Sequence, residues 1–138
     1  MVLLVEDNDA DADLMSRLLR NYGREVTVVR TLAQAIDERV SVPDVVLLDL
    51  GLPDAAGVDA VLACHARFPE IPIIVVTGFD DEHTACEAVR AGASSYLVKG
   101  AITGRELHLH LQFASVLARV ITLSTRMAVL EARLGGAA

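Results

Sequence analysis

Along this chain, short runs of uninterrupted apolar residues alternate with longer stretches whose apolar positions recur every three or four residues. Val2-Leu3-Leu4-Val5, Val45-Val46-Leu47-Leu48 and Ile73-Ile74-Val75-Val76 are continuous, as strands buried on both faces of a sheet must be. Val26 to Val29 sits in a segment that alternates, Glu25-Val26-Thr27-Val28, and Tyr96-Leu97-Val98 is short; both suit edge strands. Helix signals separate the runs. Asp9, Asp11 and Asp13 stand where a helix dipole favours acids, Leu14, Leu18 and Tyr22 supply an apolar face, and Gly23 is the stop. Thr31-Leu32-Ala33-Gln34 and Thr103-Gly104-Arg105-Glu106 read as capping boxes, and two more helices are expected over Val58 to Ala66 and Glu82 to Ala91. With no linker-like tract between the elements, the pattern predicts one α/β domain over residues 1–118, a doubly wound parallel sheet of five βα units.

The last helical pattern does not stop where a domain of this size would need it to. Leu109, Phe113, Val116, Val120, Leu123, Met127, Leu130 and Leu134 follow one another at alternating steps of four and three, a sustained heptad seam. Leu107, Leu111, Ala114, Ala118 and Ile121 form a second stripe opposite. One stripe can cover the domain's own core; the other needs a partner, and a helix rising about 1.5 Å per residue outruns the domain beyond about residue 121. Residues 119–134 are therefore expected to be a coiled-coil-like extension, followed by a tail at 135–138. The expected assembly is a parallel homodimer, with Leu at most d-type positions and Arg126 opposite Glu131 of the other chain.

Composition narrows the class. The chain has 138 residues, 53% hydrophobic and 22% charged, with nine Gly and four Pro, which excludes a disordered polymer. A formal charge of -7 argues against a nucleic-acid face. No continuous apolar run approaches a membrane span and no basic segment precedes Val2, so the expectation is a cytoplasmic protein without a membrane partner. Cys64 and Cys86 are expected to be reduced packing residues.

Candidate chemistry lies at the ends of the apolar runs. The first ends in Glu6-Asp7, the third in Asp49, the fourth in Thr77-Gly78 and the fifth in Lys99. In a flavodoxin-like sheet of order 2-1-3-4-5 these ends share one edge, and the first and third strands are neighbours about 4.8 Å apart. Carboxylates so close repel by about 1 to 4 kcal/mol per pair at 4 Å unless a cation intervenes, and a hard divalent ion such as magnesium meets that need. Thr77 adds a hydroxyl. Lys99, the only lysine among twelve basic residues, adds a compact positive charge able to hold an anion such as phosphate.

Four motifs now stand in order: Val5-Glu6-Asp7-Asn8, Asp49 with Pro53-Asp54 and Gly57, Val76-Thr77-Gly78, and Tyr96-Leu97-Val98-Lys99. Together they resemble the receiver domains of two-component response regulators. The resemblance implies that Asp49 is the phosphoacceptor, taking its phosphoryl group from the phosphohistidine of a sensor histidine kinase or phosphotransfer protein. It further implies that Asp7, Asp49 and the main-chain carbonyl of Gly51 bind Mg2+, with Glu6 acting through water. Thr77 and Lys99 would hold the phosphoryl oxygens, Thr77 and Tyr96 would form the switch, and a C-terminal output domain could follow. The family usually has Pro after the lysine; this chain has Gly100, so a trans peptide and a rearranged loop are expected.

Other readings carry less. Asp7, Asp9 and Asp11 imitate the start of a calcium loop, but Ala12 and Leu18 occupy its glycine and glutamate positions. His108 and His110 are two apart on a helix and cannot converge on a metal, and His65 and His83 are equally unpromising. Asp54 reads as a turn or capping residue. An aspartate-nucleophile phosphatase would need an acid/base carboxylate near the nucleophile, and position 51 is glycine. A non-phosphorylated dimerising scaffold would not need the full set of polar residues. Gly51 and Phe79 offer no polar side chain to orient water, so self-dephosphorylation is expected to be slow.

Overall fold

The computed structural model describes residues 1–78 and 81–136; Phe79 lies outside the described residues. Its elements are β1 (Val2–Val5), α1 (Asp9–Arg20), β2 (Val26–Val29), α2 (Leu32–Ala35), β3 (Val45–Leu48), α3 (Asp59–Arg67), β4 (Ile73–Thr77), α4 (Glu82–Ala91), β5 (Ser95–Val98) and α5 (Gly104–Gly136). All strand pairs are parallel, in the order β2-β1-β3-β4-β5.

Strand alternation divides the core into two layers. Leu3, Val5, Val46, Leu48, Ile73 and Val75 point to one face, where Ala35 of α2, Ala60, Val61 and Cys64 of α3 and Ala88 of α4 cover them. Val2, Leu4, Val45, Leu47, Ile74 and Val76 point to the other, covered by Ala12, Met15 and Leu19 of α1 and by Leu107, Leu111 and Ala114 of α5. Central strands are apolar at every position because each position meets a helix.

Three local expectations need correction. The buried face of α1 is Ala12, Met15 and Leu19, one step round from Leu14, Leu18 and Tyr22; Leu14 is 55% exposed. Leu18 and Tyr22 serve α5 instead: a Cβ on Gly104 would lie 3.1 Å from Leu18, and Tyr22 stacks on His108 with ring centroids 4.5 Å apart. Cys86 is exposed on α4, whereas Cys64 is buried, and burial pushes its thiol up to about 11. Helix α5 continues through Gly135 to Gly136 rather than ending at Leu134.

Helix α5 is also long and apolar enough, by length and composition, to cross a membrane, although its apolar residues form no continuous run of that length. Its first three turns are nevertheless occupied, because Leu107, Leu111 and Ala114 seal the domain's own sheet. Arg119, Arg126, Glu131 and Arg133 interrupt the remainder. The helix runs past the edge where the strands begin, leaving a groove of about 1070 Å³ beside Arg24, Asp44, Pro72, Phe113 and Leu123. Arg126 reaches back to Glu70 at 3.8 Å.

Candidate functional site

At the opposite edge every strand gives way to a polar side chain, and those at the ends of β1, β3, β4 and β5 converge; Arg30 after β2 pairs instead with Asp9 at 2.8 Å. Parallel register sets Val5 beside Leu48, so the residues that follow, Glu6 and Asp49, emerge side by side, and the Asp49 amide donates to the Val5 carbonyl at 3.0 Å. Asp7 joins them: one ligand oxygen from each of Glu6, Asp7 and Asp49 lies within 4.8 Å of the others. Thr77 closes β4 with its hydroxyl buried, and its carbonyl accepts the Lys99 amide at 2.8 Å. From the end of β5 the Lys99 ammonium reaches back across the edge. It donates to Glu6 Oε1 at 2.6 Å, Asp11 Oδ2 at 3.0 Å and Asp49 Oδ2 at 3.4 Å.

The electrostatics follow from that crowding. Burial, and then the neighbouring Asp49 carboxylate, push the Glu6 acid up to about 8, with Lys99 pulling the other way. Burial works to lower the Lys99 pKa, but its bonds to Glu6 and Asp11 and the charge of Asp49 outweigh this and hold it above its ordinary value. Lys99 therefore keeps its charge, and the strain falls on the carboxylates, which outnumber it. Glu6 Oε2 is buried with no donor directed at it, so this carboxyl gives up its proton readily only where a cation offsets its neighbours. An all-oxygen set with excess negative charge fits a hard divalent cation such as Mg2+.

The remaining predicted residues fall around this centre. The Gly51 amide donates to Asp49 Oδ1 at 3.3 Å, and a Cβ there would lie 3.6 Å from Asp49 Oδ2. Tyr96 is half-buried on β5, packed against the layer under α3 and α4. Asp54 is a cap, as its position suggested, but for α2: its carboxylate accepts the Leu32 and Ala33 amides at 2.8 and 2.9 Å, tying the loop after β3 to the next helix. Gly100 has φ +82°, a conformation closed to proline, whose ring fixes φ near −65°. The loop after Lys99 is thus one that the usual proline could not adopt, and no peptide bond among the described residues is cis. None of the histidines enters a metal cluster among the described residues; His108 accepts from Arg24 Nε at 3.1 Å and His83 pairs with Glu87.

Sequence reasoning missed Asp11. An acid in a first helical turn is amply explained by the dipole, and nothing local separates it from Asp9 and Asp13. In the fold the three part company: Asp9 pairs with Arg30 at 2.8 Å, while Asp11 turns to Lys99. The available signal was charge balance, a lone lysine set against a crowded acidic edge.

The chain matches the response regulator receiver domain over residues 2–112. It belongs to that family. Receivers are the phosphoacceptor signalling domains of two-component response regulators, and they bind Mg2+ at an acidic site. This receiver is 39% identical over 97 residues to the regulatory protein LuxO of Vibrio vulnificus, an alignment that takes in 70% of this chain and 21% of that protein. The chain therefore spans about a fifth of the length of that relative. Among solved structures it resembles the signal receiver domain of a putative LuxO repressor protein from Vibrio parahaemolyticus, with a TM-score of 0.76 and 28% identity, covering 89% of this chain and 95% of that one. It also resembles the receiver domain of the sensor histidine kinase PA1611 from Pseudomonas aeruginosa, with a TM-score of 0.73 and 31% identity, covering 83% and 95%. That structure has a magnesium ion coordinated in its active-site cleft.

Proposed function

We propose that this receiver takes a phosphoryl group on Asp49 from the phosphohistidine of a sensor histidine kinase or a phosphotransfer protein, and signals by altering a protein-interaction surface. The observation that carries this reading is the convergence of Glu6, Asp7 and Asp49 at one edge, with the Lys99 ammonium among them. An Asp49 carboxylate oxygen forms the bond to phosphorus as the phosphorus–nitrogen bond to the donor histidine breaks. Asp7, Asp49 and the Gly51 carbonyl would hold Mg2+, with Glu6 acting through water; the ion supplies charge neutralisation for the approaching phosphate. Lys99 contributes a mobile positive charge to the phosphoryl oxygens, and the buried, unpartnered Thr77 hydroxyl is a donor awaiting an acceptor. Tyr96, on the strand next to Thr77, is the second switch residue. Nothing in this scheme is a turnover reaction on a diffusing substrate.

The output is carried by protein contact. The α5 seam is free to pair with a second copy, in parallel on the heptad spacing: Leu109, Val116, Val120, Leu123, Met127 and Leu130 are all at least half exposed, and Phe113 and Leu134 more so. Residues 1–118 form the receiver and 119–136 its helical extension. Since LuxO extends far beyond the aligned region, an output domain beyond the α5 end fits the same architecture. Such a protein works in the cytoplasm.

Mass labelling with acetyl phosphate or beryllofluoride tests the reading. Wild-type protein should gain one group only in the presence of magnesium, and Asp49→Asn should gain none. Equal labelling of the two proteins would eliminate Asp49 as acceptor.

A further inference from the structure

The Lys99 ammonium has three donors, and three carboxylates take them. A phosphoryl group arriving on Asp49 needs one of those donors, so one carboxylate must yield. The partners differ in what yielding costs. Glu6 is 1% exposed at its side chain and already has one orphaned oxygen, so losing Lys99 would strand the whole carboxylate. Asp49 carries the incoming group itself. Asp11 is 42% exposed, and water replaces its bond at little cost.

We propose that Asp11 is a positioning residue that holds the third Lys99 donor in the unphosphorylated receiver and surrenders it to the phosphoryl oxygens. The proposal rests on the reading of Asp49 as acceptor. Asp11 is well placed for such a role. Its amide donates to Asn8 Oδ1 at 3.0 Å, which fixes it in the first turn of α1, and the adjacent Ala12 is buried in the core. Lys99 is tied by its amide to the Thr77 carbonyl at 2.8 Å, so a change of partner is made by its flexible four-carbon side chain alone. The helix dipole accounts for an acid at position 11 but not for its choice of partner, because Asp9 enjoys the same dipole and pairs with Arg30.

Because Lys99 is the only lysine, isotope-labelled lysine gives one side-chain signal to follow by NMR. In the resting protein Asp11→Asn should move that signal; with magnesium and beryllofluoride, a phosphoryl stand-in, the two proteins should give coincident signals. At saturating magnesium, Asp11→Asn should bind beryllofluoride about two- to fivefold more tightly, the scale of a partly exposed ion pair. In a Lys99→Met background the same substitution should leave affinity unchanged. A resting signal that ignores Asp11→Asn, an unchanged affinity, or an equal gain without Lys99 would each overturn the proposal while leaving the Asp49 reading intact. Wild-type protein that takes neither beryllofluoride nor acetyl phosphate would remove both. The resting NMR comparison needs no phosphoryl ligand and so judges the Asp11–Lys99 contact separately.

Discussion

The two edges of this sheet solve opposite problems. At the edge where strands end, polar groups are crowded together and each is fixed by main-chain pairing: Asp49 by Val5, Glu6 by Val29, Lys99 by Thr77. At the edge where strands begin, α5 leaves the domain with an apolar seam that touches almost nothing, Phe113 standing 70% exposed. The first edge is rich in partners within the chain and short of a cation; the second is short of a partner altogether. Polar chemistry is assembled by the fold, whereas the apolar seam is left uncovered by it.

The largest effect should come from attacking the seam. The parent protein is expected to be dimeric at tens of micromolar, and Leu123→Glu combined with Leu130→Glu should make it monomeric by light scattering without altering the receiver's circular dichroism. A monomeric parent would break the contrast between the edges, and a dimeric double variant would move the interface to the receiver body. A cysteine at position 134, with Cys64 and Cys86 replaced by Ser, should crosslink readily if the helices are parallel.

The opposite stripe of the same helix should behave as core. Leu111→Ala removes a side chain that is 0% exposed and should cost about 2 to 5 kcal/mol in urea unfolding. A cost below about 1 kcal/mol would mean that α5 is not an integral layer of the domain. At the other edge, magnesium at a hundredfold excess over its dissociation constant should raise stability by about 2.7 kcal/mol, provided it binds only the folded protein. Asp7→Asn should remove most of that gain; an unchanged melting temperature between chelator and magnesium would deny a preformed site.

The smallest expected effect concerns the lifetime of the phosphoryl group. Wild-type phosphoprotein should outlast the double variant Gly51→Asn with Phe79→Glu, whose new polar groups can orient a water. A longer-lived double variant would show that water is positioned by something else.

How much of this was legible in the sequence follows the same division. Strand ends were readable because an apolar run cannot continue past the sheet, so the first polar residue after it marks the edge; Glu6, Asp49 and Lys99 all announce themselves in that way. The buried face of α1 was not, because Leu14 and Leu18 are as apolar as Met15 and Leu19, and only the neighbour decides which stripe is covered. Asp11 was hidden for a related reason: a helix start explains an acid completely until the fold brings a lysine from 88 residues away. Helix α5 offered its two stripes openly, yet nothing in the periodicity said which would lie on the sheet.

That helix also has a mechanical meaning. It is rooted at Gly104, five residues after Lys99, where it rests on Leu18, and its 33 residues make a rod about 50 Å long. A tilt of about 5° at the root swings the far tip through about 4 Å. On the proposed reading, a rearrangement of the few oxygens at one edge that tilted the packed root would reach a partner as a displacement of that size, well clear of the domain.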